Sequence, residues 1–159
     1  MSQGVIVQVS VSPGGVPKRA VLQAQVGTLG LDGDDHAHPD IHGGPERAVC
    51  LYAIERIEAL AAEGHPIGPG SAGENVTTRG VDWAAVVPGT RLRLGDTLVL
   101  EISAYTPPCK TNARWFKHGD FNRMNQKLFP GWSRTYARVI TPGLIRPGDA
   151  VELLRPATG

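Results

Sequence analysis

Apolar residues along this chain come in short runs, and most of those runs alternate with polar positions. In VIVQVSV (5–11) valine recurs at 5, 7, 9 and 11, the period of a β-strand. AVLQAQV (20–26) repeats the pattern and predicts a second strand. RAVCLY (47–52) predicts a third, or a lead into the helix that follows it. TRLRLGDTLVLEIS (90–103) holds two strand-like runs around Gly95-Asp96, a hairpin signal. RTYARVIT (134–141) alternates again, and DAVELL (149–154) closes the series after Gly148.

Helical periodicity is scarcer. AIERIEALAAEG (53–64) places Ile54, Ile57, Leu60 and Ala61 on one face, with Gly64 as the stop. A shorter helix or two is predicted in 110–128, where Trp115, Phe116, Phe121, Met124 and Leu128 recur unevenly. Many short strands, frequent Gly and Pro and few helices predict a mainly β (α+β) chain. The expected architecture is a closed or partly closed β-barrel with flanking helices, in one domain spanning 1–159.

Length and charge narrow the function. A chain of 159 residues can bury one sizeable core. No apolar stretch reaches the roughly 18 residues that span a bilayer, and MSQGVIVQVS has no secretory pattern. The expected location is therefore the cytoplasm. A formal net charge of +1 makes no case for a nucleic-acid or membrane surface. Two cysteines, Cys50 and Cys109, are too few for a disulfide framework, and a reducing compartment argues against their pairing.

Four segments are candidates for chemistry. LGLDGDDHAHPDIHGGPERAV (29–49) is too polar and glycine-rich for core and concentrates Asp32, Asp34, Asp35, His36, His38, Asp40 and His42. Its histidines suit a transition metal, although their spacing is no specific zinc pattern. A solvated acidic loop, or a loop that orients a ligand, accounts for the same residues. GPGSAGENVTT (68–78) bends around Ser71 before Glu74 and Asn75 open a strand. Asn75 carries donor and acceptor, as recognition of a heterocycle edge requires, or it is simply satisfied in a turn. Lys18, Arg19, Arg47, Lys110, Arg114 and Arg138 are scattered cations; converging on one cleft, they would imply a small anionic ligand.

The fourth is TPPCKTNARW (106–115). Pro107 and Pro108 exclude a helix interior, so Cys109 is expected at a strand-to-helix switch. A helix start and the adjacent Lys110 favour a thiolate, the form that binds soft metals and attacks sulfur. Cys50, between Val49 and Leu51, reads instead as a small core residue.

Taken together, SPGGVPKRAV, GLDGDDHAHPDIHGGPERAVCLY, GSAGENVTTRG, GTRLRLGD, TPPCK and RTYARVITPGLIRPGDAVEL resemble the MOSC domain, the module related to the C-terminal part of molybdenum cofactor sulfurases. The resemblance covers nearly the whole chain and is strongest for the small free-standing bacterial type. It implies a barrel of mostly antiparallel strands with flanking helices. It implies that Cys109 is the protein ligand of molybdenum in a molybdopterin cofactor, as in the reductases of the family, or carries sulfur as a persulfide. Lys18, Arg47 and Arg138 would match cations around the pterin phosphate, and Lys110 flanks the thiol. Asn75 matches the asparagine of the family's EN motif. His36 and His42 match histidine-bearing positions of the first loop, whereas His38 matches none.

Two functions follow as expectations. One is a molybdenum-cofactor protein that reduces N-hydroxylated bases or amines. It would need an external redox partner, because the chain holds no iron–sulfur cysteine pattern and no dinucleotide fingerprint. The other is a sulfur or cofactor carrier without turnover, served by a sulfur donor. A histidine-ligated hydrolase built on 36–42 is a weaker third.

Overall fold

The computed structural model describes residues 3–35 and 44–154. Eleven strands are present: β1 (Gly4–Val11), β2 (Arg19–Val21), β3 (Ala24–Gly27), β4 (Gly30–Leu31), β5 (Val49–Ala53), β6 (Val76–Arg79), β7 (Arg91–Leu94), β8 (Leu98–Tyr105), β9 (Thr135–Thr141), β10 (Gly143–Ile145) and β11 (Ala150–Leu154). The main sheet runs β11-β7-β8-β9-β5-β6-β1-β2, and β11 also pairs with β1. That pairing, Gly4 opposite Val151, closes seven strands into a barrel and leaves β2 as an extension of β1. The expected closed barrel is therefore observed. Closure removes the unpaired edges an open sheet would expose.

The period-two runs supply the barrel interior. Ile6, Val9, Leu51, Leu92, Leu94, Leu98, Leu100, Ile102 and Val151 are buried. Each side chain of this size contributes about 1.5–3 kcal/mol on burial. Neighbouring strands are antiparallel except β5 and β6, which are parallel and register Leu51 with Val76. Parallel neighbours need a crossover, and α1 (Ile54–Ala62) provides it. Ile54, Ile57 and Leu60 are its buried face; Ala61, expected on that face, is exposed. Gly64 adopts φ +100 just past the helix, a left-handed stop.

Two sequence expectations need correction. The run at 20–26 is not one strand. It breaks at exposed Leu22 into β2, on the barrel, and β3, which joins β4 and β10 in a separate three-stranded sheet. Only β3 keeps the alternation, with Ala24 and Val26 buried and Gln25 exposed, whereas β2 is largely exposed and only Val21 packs against the core. The second concerns 110–128, which forms three short 3-10 turns, Lys110–Trp115, Lys117–Gly119 and Phe121–Met124. His118 and Gly119 have positive φ there, which interrupts any longer helix.

No helix among the described residues is long and apolar enough to cross a membrane.

Candidate functional site

A cleft opens beside the barrel wall where four loops meet. Gly15, Val16 and Lys18 come from the β1–β2 connection, and Arg47 from the turn before β5. Cys50 lies in β5 itself. Ala72, Gly73 and Asn75 precede β6, and Cys109, Thr111 and Asn112 follow β8. Arg134 and Tyr136 stand at the start of β9, and Asp35 completes the lining.

Asn75 ties the wall together. Its backbone N–H donates to the Cys50 carbonyl at 2.7 Å, and Ser10 N–H donates to its own carbonyl at 2.8 Å. Its side-chain oxygen accepts from Cys50 N–H at 2.9 Å. Its amide nitrogen donates to Ser10 O at 3.2 Å and to Asp34 Oδ2 at 2.9 Å. Both amide hydrogens thus serve the fold, and Asn75 clamps β1, β5 and the Asp34 loop together. Asp34 also takes the charge of Lys18: Nζ lies 2.7 Å from Oδ2, with side chains 6% and 2% exposed. Lys18 lines the cleft as half of a neutral pair.

Arg47 is exposed at the cleft rim, its guanidinium carbon 5.9 Å from the Tyr136 ring centroid. Arg138 is elsewhere. It pairs with Glu46 at 3.1 Å and with Glu101, which Arg91 also meets, and it does not line the cleft. Lys110 is exposed and outside the lining as well. His36, His38 and His42 lie outside the described residues.

Cys109 is extended, with φ −121 and ψ 136, and caps the first 3-10 turn. Its carbonyl accepts from Asn112 N–H at 2.9 Å. Thr111 Oγ1 donates to its sulfur at 3.0 Å. The site is half-buried, so its thiol is placed in the cleft without being sealed. The expected helix start is a single six-residue 3-10 turn, so the strand end and the two prolines do the presenting.

Cys50 was expected to be core, and it is buried; yet it also lines the cleft. Burial pushes its thiol up, partly offset by Arg134. Burial likewise pushes the Tyr136 phenol up to about 12. Neither cysteine forms a disulfide among the described residues.

Arg134 and Asn112 were missed by the sequence reading. Arg134 is 5% exposed. Nη1 donates to Ala72 O at 2.7 Å and Nη2 to Pro107 O at 3.0 Å, joining two walls of the cleft. Asn112 Nδ2 donates to the same Ala72 carbonyl at 3.1 Å. Arg134 Nε and Asn112 Oδ1 are buried without partners. A signal for Arg134 existed in RTYARVIT: positions 134, 136 and 138 share one strand face, and its first two members line the cleft.

Comparison with known proteins agrees with the fold. YflK of Bacillus subtilis (strain 168) is 33% identical over 128 residues, covering 78% of this chain and 55% of that protein. YiiM of Escherichia coli (strain K12) is 32% identical over 132 residues, covering 79% and 57%. A protein named reductase from Gibberella moniliformis is 35% identical over 130 residues, covering 79% of this chain and 22% of its own length. The chain thus spans little more than half of the bacterial relatives and about a fifth of the fungal one. Among solved structures, YiiM from Escherichia coli superposes with a TM-score of 0.73 at 25% identity, covering 100% of this chain and 72% of that one. YiiM from Geobacillus stearothermophilus gives 0.75 at 24% identity, covering 98% and 77%. The family model of the MOSC domain matches residues 38–152, which takes in most of the barrel and the cleft residues from Arg47 to Tyr136, and the chain belongs to the MOSC domain family.

Proposed function

We propose that the cleft binds molybdenum cofactor through Cys109 and supports reduction of N-hydroxylated bases or amines, with electrons from an external redox protein. The observation that carries this reading is the Cys109 thiol inside a cleft lined by Arg47 and Arg134 against one carboxylate, Asp35, with Lys18 beside them already met by Asp34. A thiolate is a soft donor suited to molybdenum, and a surplus of cations suits an anionic cofactor. Cys109 would hold the metal and Arg47 a phosphate oxygen. Gly15 and Gly73, with φ +75 and +94, would let the ligand approach backbone N–H groups. When bound, the group supplies oxygen-atom transfer coupled to two-electron chemistry.

The protein's own contribution is orientation. Thr111 anchors the Cys109 sulfur, and Asn75 fixes β5 against β6 beneath it. Tyr136 keeps its proton at neutral pH, with the phenol pushed up to about 12, so it adds no negative charge to the wall. The name of the fungal relative, reductase, supports reductive chemistry. A net charge of +1 supports a small ligand over a polymer.

The test is molybdenum and oxidised pterin per chain, in wild type and Cys109→Ala made in cells that synthesise the cofactor. Wild type is expected to carry both and the variant neither. Wild type carrying neither, with mass spectrometry finding an extra sulfur on Cys109, would replace this reading with that of a persulfide carrier. A wild type bare of all three overturns both.

A further inference from the structure

Arg134 is the one buried arginine among the described residues, and it has no carboxylate partner there. The half-buried Arg56 meets only the Gly131 carbonyl and the Trp132 ring, but several other held cations do have a carboxylate partner. Arg123 forks onto Glu63 at 2.8 and 3.0 Å, Arg138 meets Glu46 and Glu101, and Lys18 meets Asp34. Arg134 has only the neutral carbonyls of Ala72 and Pro107, and its Nε–H has no acceptor.

The acidic groups that feel its charge do not answer it. Glu74, Cys50, Tyr52 and Tyr136 all sense Arg134, and burial holds each toward its neutral form. A buried cation without a counter-ion is costly, and so is an unmade hydrogen bond to it. Two carbonyl bonds alone do not require an arginine: a shorter amide side chain could tie one of these loops without the charge. The residue also lines the cleft.

We propose that Arg134 is the anion anchor of the cleft: its counter-ion comes with the ligand, which places an oxyanion of the phosphate class against the start of β9. The charge then serves recognition, and the two carbonyl bonds aim it. The inference concerns the charge of the occupant and does not depend on a metal, so it stands or falls separately from the role of Cys109.

The probe is inorganic phosphate, added to the metal-free protein against chloride at matched ionic strength. Thermal unfolding of wild type is expected to show a saturable upward shift. Arg134→Gln, which keeps a donor but loses the charge, should bind phosphate weaker by on the order of 30-fold or more. Arg134→Lys should retain most of the response, and the exposed, remote Arg93→Gln should match wild type. A purely structural clamp predicts the reverse: both Arg134 variants destabilised alike, with the phosphate shift intact. A variant that does not fold leaves a second measurement on wild type. In spectra of uniformly 13C,15N-labelled wild type the Arg134 Nε–H resonance, assigned by through-bond correlation to its own backbone amide, should move with phosphate. Wild type without a saturable response, Arg134→Gln responding as wild type, or an immobile Nε–H resonance overturns the proposal.

Discussion

Glu74 offers the sharpest physical test of the scaffold beneath the cleft. Its side chain is fully buried. Oε2 accepts from Gly70 N–H at 2.9 Å and Thr77 Oγ1 at 3.0 Å, while Oε1 has no partner. Burial pushes this carboxyl up, and the bonds from Gly70 and Thr77 and the field of Arg134 only partly offset it. The folded protein therefore holds Glu74 protonated at pH values where the unfolded chain, near pH 4.3–4.5, has released the proton. Stability from this group is complete below the unfolded value and is lost as pH rises toward the folded one. Over that window the unfolded state binds one proton fewer, so unfolding becomes easier by about 1.4 kcal/mol per pH unit. Glu74→Gln copies the neutral acid in shape and keeps an oxygen for Gly70 and Thr77, but it does not titrate. The assay is urea unfolding of both proteins at pH 5, 6 and 7, followed by tryptophan fluorescence. The difference between them cancels every other titration, and it should grow in favour of Gln with rising pH at up to that slope. A difference that stays flat, or that favours Glu at higher pH, would refute the reasoning and mean that the buried carboxylate is ionised.

Two further outcomes follow from the same geometry. Iodoacetamide should modify Cys109 well before Cys50 in the native protein, because Cys109 is half-buried while Cys50 is buried and its thiol pushed up; peptide mass spectrometry reads the order. Asn75→Ala removes three side-chain hydrogen bonds and orphans the Cys50 N–H, so denaturant unfolding should show a loss of about 2–4 kcal/mol, with the cleft loosened at β5.

How far the molecule was legible depends on how local each cause is. Valine at 5, 7, 9 and 11 and the Gly95-Asp96 turn are local, and β1 and the β7–β8 hairpin appear where those signals place them. The corner at Leu22 was hidden because alternation does not register a change of sheet. Cys109 stood out because two prolines and a strand end are visible in four letters. Arg138 and Arg134 were not separable, since their difference lies in distant partners. Glu46 and Glu101 reach Arg138, whereas no carboxylate among the described residues reaches Arg134. Asn75 was recognised as a polar centre, but its orientation depends on Ser10, Asp34 and Cys50 together. Cys50 could be placed in the core from its neighbours, but not on the cleft, because that requires knowing which strand lies beside β5.

The pairing of β1 with β11 also bears on how the chain is made. β1 waits for β11, the longest sequence separation any strand pairing of the barrel has to bridge. High contact order of this kind slows folding. Until β11 arrives, β7 lacks its outer neighbour and the start of β1 is uncovered. A nascent chain that has not yet delivered β11 therefore presents two open sheet edges, and the arrival of β11 is what permits closure. Every residue that lines the cleft precedes Ala137, so the binding residues are all translated before the frame that holds them can shut.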